Sequence, residues 1–94
     1  EAAFRQEVWL ACVLLPAGLW LGQNAVERVL LVGSVIILLI VELLNTGIEV
    51  VVDRIGVERH PLSGFAKDVG SAAVFFGLVL LFSTWALILW DRLS

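Results

Sequence analysis

The chain has 94 residues, of which 61% are apolar and 16% charged, and a formal net charge of −3. A soluble domain of this size has too little interior to bury so many apolar side chains. The acidic balance excludes a nucleic-acid binder, which needs a basic surface. The lone Cys12 excludes an intrachain disulfide and, inside an apolar run, reads as a small buried thiol.

In chain order, residues 1–7 (EAAFRQE) are charged and helix-favouring. Glu1 and Arg5 stand at i,i+4. They make either an ordinary surface bridge of roughly 0.2–0.5 kcal/mol, or Glu1 joins later acids around a metal; spacing leaves both open. The chain opens inside a helical pattern, so a preceding segment is expected. Residues 8–22 are the first candidate membrane segment. They span ~22 Å as a helix against a hydrocarbon core of ~30 Å, so they are expected to continue the first helix obliquely. Pro16, near Gly18, is a candidate kink, and Trp20 suits an interfacial anchor. Gln23, Asn24 and Ala25 form a polar turn short enough only for antiparallel helices. A second helix is expected over 26–54, with Glu27 and Arg28 in its first turn and Gly33 and Ser34 favouring close helix approach.

Residues 54–68 (RIGVERHPLSGFAKD) are the one sizeable polar stretch, punctuated by Gly56, Pro61 and Gly64. Its plain reading is a solvated loop, with His60 as a surface histidine. Lys67 and Asp68, at the start of the third helix, also read as a phosphate site beside free backbone N–H groups. Residues 69–90 form the last apolar segment, opening on Gly70, Ser71, Ala72 and Ala73, small residues that favour tight packing. Trp85 and Trp90 near its far end read as packing or anchoring residues. The expected fold is an all-α membrane protein, one domain over 1–94, with helices at about 1–22, 26–54 and 64–91. Arg5, Arg54, Arg59 and Lys67 fall on one side and Arg28 and Arg92 on the other. That excess places the N-terminus and polar loop in the cytoplasm and the C-terminus outside.

The informative stretch is VELLNTGIEVVVDRIG at 41–56. Asn45, Glu49 and Asp53 follow Glu42 by three, seven and eleven residues, so at ~100° per residue the four share one helix stripe. Counting ~20 residues from Val29 puts Glu49 and Asp53 at or beyond the membrane surface and Glu42 ~9 Å below it. A charge at the bilayer centre costs ~2.5–3.5 kcal/mol, so such groups face a protein interior and carry function. Polar glue between helices explains one such residue. Three acids repel unless a cation or proton neutralises them, and hard carboxylate oxygens suit Mg²⁺ shared with substrate phosphates. There is no G-x-x-x-x-G-K-[ST], kinase glycine-rich loop, C-x-x-C or H-E-x-x-H. Phosphoryl transfer here would rely on carboxylates, Mg²⁺ and a few basic groups.

These residues closely resemble the prokaryotic diacylglycerol kinase family over nearly the whole chain. The resemblance rests on EAAFRQE at 1–7, VELLNTGIEVVVDRIG at 41–56, and the E-x-H-x-L-S-G-x-A-K-D-x-G-S-A-A pattern over 58–73. It implies three transmembrane helices after an N-terminal surface helix, expected to precede the residues given, assembled as a homotrimer in the bacterial inner membrane. It implies transfer of the ATP γ-phosphate to diacylglycerol to give phosphatidic acid; related members phosphorylate undecaprenol. No obligate protein partner is implied. Glu42 then resembles the catalytic base, and Glu1 and Glu49 the Mg²⁺ ligands. Glu1, Glu49, Glu58, Arg59, His60, Lys67 and Asp68 resemble the nucleotide site, with Asn45 and Asp53 in the same polar cluster. Lipid-contacting positions match Ala3, Phe4, Arg5, Gln6 and Glu7, then Trp20, Leu21, Gly22, Gln23 and Arg28. They continue with Glu42 and Ser71, and with Trp85, Ala86, Leu87, Ile88, Leu89 and Trp90.

Two rival readings use the same stripe without this chemistry. Intramembrane acids also line ion or proton paths, but a polar loop carrying Lys67 and Asp68 favours a nucleotide. An accessory subunit held by helix packing would bring a larger partner protein.

Overall fold

The computed structural model describes residues 2–55 and 61–93, with side chains over 6–55 and 61–93. The described residues form three α-helices: α1 (Ala2–Leu21), α2 (Ala25–Ile55) and α3 (Pro61–Leu93). At 1.5 Å per residue α2 and α3 run about 46 and 50 Å, longer than a ~30 Å hydrocarbon core. Both are apolar enough to cross a membrane, and only 22% and 11% of their most apolar windows are buried in the bundle. That exposure separates them from the core helices of a soluble protein. The apolar part of α1, Gln6–Leu21, is shorter. Pro16 lies inside α1, which continues through it.

α2 is the central element, packed against both α1 and α3. Its inward seam is Leu31, Ser34, Val35 and Leu38, and Leu31 is wholly buried. Ala11 of α1 and Leu81 of α3 close on Val35 and Leu38 to make the core, with Leu14, Leu78 and Trp85 against it. Two glycines, Gly70 and Gly77, let α3 approach: a Cβ at Gly70 would overlap the Asn45 side chain, and one at Gly77 would stand 3.1 Å from that of Leu38.

The turn between α1 and α2 is held by side chains. Asn24 is the N-cap of α2, and its Oδ1 accepts from the Glu27 N–H at 2.8 Å. The Glu27 carboxylate in turn accepts from the Gln23 N–H at 3.0 Å, a reciprocal arrangement akin to a capping box. α1 has no basic residue in its last turn, so cations from elsewhere serve its free carbonyls. Arg28 Nε donates to the Leu19 and Gly22 carbonyls, each at 3.1 Å. Arg92, near the end of α3, donates to the Leu21 carbonyl and reaches Glu27 at 3.2 Å. Gly22 has no room for a side chain, because a Cβ would overlap Arg28. This end therefore ties all three helices together.

Within the polar stretch, the described residues 61–68 are helical throughout, against the punctuation by Pro61 and Gly64. α3 begins at Pro61, the first helical position, where a missing N–H costs nothing and a fixed φ suits the helix. Residues 64–68 are thus helix interior. The free backbone N–H groups belong to the first turn, so Lys67 and Asp68 lie beyond them. The anion-binding reading through those N–H groups does not apply to this pair.

Asn24→Ala is expected to destabilise the protein by about 1 kcal/mol, lowering the thermal midpoint in detergent micelles, while Asn24→Asp retains most of it. An unchanged midpoint in Asn24→Ala would show that the two arginines hold the turn without the cap.

Candidate functional site

The antiparallel order brings the start of α1, the end of α2 and the start of α3 to one end of the bundle. Glu42, Asn45, Glu49 and Asp53 all lie within α2, so the helix holds them on one stripe. Glu42 and Asn45 are half-buried, whereas Glu49 and Asp53 are exposed. The stripe thus runs from partial cover outward.

The neighbours extend it. Glu7 of α1 and Glu49 both lie within electrostatic range of Glu42. Across the α2–α3 interface, Lys67 Nζ donates to Asp53 Oδ1 at 2.7 Å and also senses the charge of Glu49. All three helices therefore contribute to one polar patch, with acids on α1 and α2 and a cation on α3. Among the described residues no three His, Cys, Asp or Glu side chains stand close enough to enclose a metal ion. Mg²⁺ needs no such cage, because it is commonly held by one or two carboxylates and substrate phosphates. The carboxylate donors present fit that chemistry, with Glu49 the most open of the set near Glu42.

Below the patch, α1 and α3 leave an apolar cavity of about 310 Å³ over α2. Leu10, Leu14, Val35, Leu38 and Phe82 are among its walls, and Glu7 is its one charged lining residue. The patch thus borders a lipid-like space.

The remaining candidates divide. Glu1, Glu58, Arg59 and His60 lie outside the described residues, as do the side chains of Ala3, Phe4 and Arg5. Asp68 and Ser71 are exposed on α3, beside the patch in sequence. Gln6, Trp20, Gln23, Ala86, Leu87 and Trp90 face outward, Leu21, Ile88 and Leu89 are half-buried, and Gly22 is buried. Trp85 turns inward: its indole N–H reaches the Leu31 carbonyl and Ser34 Oγ, both at 3.2 Å. It serves packing between α2 and α3, not an outer aromatic belt. Arg28 spends its Nε on the Leu19 and Gly22 carbonyls at the opposite end of the bundle from Glu42. Sequence reasoning gave Glu7 no role beside Glu42; its place at the boundary of the charged opening and the apolar run was the available signal.

The family model described as prokaryotic diacylglycerol kinase matches residues 1–89. A diacylglycerol kinase of Haemophilus influenzae is 51% identical over 89 residues, covering 95% of this chain and 75% of the relative. That of Escherichia coli K12 is 51% identical over 92 residues, covering 98% and 75%. A diacylglycerol kinase of Pseudomonas aeruginosa is 53% identical over 89 residues, covering 95% and 72%.

Lys67 is the single lysine of the chain, so its state can be read by amine labelling. The ion pair with Asp53 is exposed on both sides, and such pairs contribute little to stability. Asp53→Asn should therefore keep the thermal midpoint nearly unchanged while raising the labelling rate at Lys67. Unaltered labelling would show that the pair does not persist in the membrane.

Proposed function

The chain belongs to the prokaryotic diacylglycerol kinase family, and from that premise we propose that it phosphorylates diacylglycerol with Mg²⁺-ATP, giving phosphatidic acid. It works in the bacterial inner membrane with its site at the cytoplasmic surface and its C-terminus outside. One observation carries the reading: Glu42 stands half-buried on the stripe, within electrostatic range of Glu7, which lines the apolar cavity. A base at that depth meets a lipid hydroxyl, and phosphates approach from the exposed Glu49 and Lys67 above.

A lipid hydroxyl is a weak nucleophile, and a positioned carboxylate makes it a better one by taking its proton as transfer proceeds. Glu42 accepts that proton. The hydroxyl oxygen forms its bond to the γ-phosphorus as the bond to the β-γ bridging oxygen breaks, and ADP leaves. Glu49 and Glu1 would hold Mg²⁺, which when bound neutralises charge on the β- and γ-phosphates. Lys67, released from Asp53, adds a positive charge on the same phosphates. Glu58, Arg59, His60 and Asp68 complete the nucleotide side. The apolar cavity takes an acyl chain, fixing the hydroxyl near Glu42. Three such protomers form a homotrimer, because one thin three-helix bundle cannot cover its polar groups from lipid alone.

The founding test is Mg²⁺-dependent ATP consumption that requires added lipid, with diacylglycerol and undecaprenol compared side by side. Preference for undecaprenol would move the chain to the related branch. ATP consumption absent with every lipid would favour an ion path along the stripe.

Glu42→Gln keeps size and hydrogen bonding but cannot accept the proton. Turnover should fall about 10²–10⁴-fold with stability unchanged, read as phosphatidic acid formed in mixed micelles. Near-normal turnover in the folded variant would sink Glu42 as the base. Glu49→Gln should weaken the response of activity to Mg²⁺ while the fold persists; an identical Mg²⁺ titration would leave Glu49 a structural role. Cross-linking in native membranes should capture trimers, and monomers alone would count against shared sites.

A further inference from the structure

α3 turns two buried glycines towards α2, Gly70 and Gly77. Seven residues apart, they oppose Asn45 and Leu38, also seven apart. At Gly77 the opposing group is apolar. At Gly70 the space is filled by the Asn45 carboxamide: a Cβ there would overlap Asn45 Oδ1 and stand 3.3 Å from its Cγ. Leu31 and Leu38 hold the two preceding positions of this seven-residue seam, and both are buried. A third leucine would continue it, yet the chain places an amide there.

That amide is set in an unusual way. Asn45 Oδ1 is buried and accepts no hydrogen bond, which is costly for a polar atom. It faces the bare Gly70 backbone, in the direction a Cβ would take. With the oxygen turned to Gly70, the NH₂ of the same planar group lies on the side away from it. Asn45 itself stands on the stripe, one turn from Glu42 and one turn from Glu49.

We propose that Gly70 is a positioning residue for phosphoryl transfer: its missing side chain is the slot that holds the Asn45 carboxamide with its oxygen towards α3 and its amide donors towards a phosphoryl oxygen of the nucleotide. This rests on the kinase reading of the stripe. A methyl group in the slot meets only the end of a flexible side chain, so Gly70→Ala keeps the fold and rotates Asn45 away. Misplacement of about 1 Å near reacting groups costs up to ~10²-fold in rate.

The test measures kcat, KM for both substrates and thermal midpoint of the purified protein in mixed micelles with diacylglycerol. Gly70→Ala should lower kcat about 10–100-fold with both KM values and the midpoint little changed. Asn45→Ala should lower it similarly, and Asn45→Ala/Gly70→Ala should be no slower than Asn45→Ala alone, because the slot then has no occupant to displace. Gly77→Ala, against Leu38, should shift the midpoint and spare kcat. If Gly70→Ala does not fold, Asn45→Gln carries the test: it keeps the amide but is one methylene too long for the slot, and kcat should fall likewise. Wild-type turnover in a folded Gly70→Ala or in Asn45→Gln overturns the inference, as does a Gly70→Ala loss undiminished beside Asn45→Ala. An active wild type with these outcomes overturns the role of Gly70 alone. A wild type without lipid-dependent phosphate transfer overturns the kinase reading and this inference with it.

Discussion

The structure depends on one helix meeting two demands at once. α2 packs against both neighbours, so its inward seam must be apolar and closely fitted, with Leu31 and Val35 almost wholly excluded from the surroundings. Further along it must carry Glu42, Asn45, Glu49 and Asp53. A period of 3.6 residues satisfies both, since side chains three, four and seven apart share a face. Asn45 stands where the two patterns meet. It continues the line of Leu31 and Leu38 yet belongs to the polar stripe, and the bare backbone at Gly70 accommodates it.

The apolar surface completes this logic. Large side chains such as Trp9, Ile40, Phe65, Phe76 and Leu87 point outward. Helices satisfy their backbone hydrogen bonds internally, so such a surface is stable in lipid and unstable in water. The inner faces then need to secure only packing and a few polar groups. Trp85 does both, filling the α2–α3 seam while its N–H serves Leu31 and Ser34.

Much of this was legible in the sequence because it is local. Run lengths of apolar residues marked three helical segments, and the spacing of Glu42, Asn45, Glu49 and Asp53 marked a stripe before any neighbour was known. The start of α3 was not legible, because Pro61 reads as punctuation whether it ends a loop or opens a helix. Interactions across the bundle were also hidden. Arg92 and Leu21 are 71 positions apart, and nothing local assigns one to the other. Glu7 approaches Glu42 through the register of α1 on α2, a property of packing. The roles of Glu1, Glu58, Arg59 and His60 rest on resemblance, since they lie outside the described residues.

The two ends of the bundle are fastened very differently. At the turn, two guanidiniums and a shared glutamate join all three helices through partly buried hydrogen bonds, beside an exposed asparagine cap. At the other end, the described tie between α2 and α3 is an exposed ion pair. Breaking that pair exchanges an exposed contact for water and leaves untouched the leucines packed deep between the helices. Lys67 can thus change partners at this end without disturbing the packing that holds the bundle together.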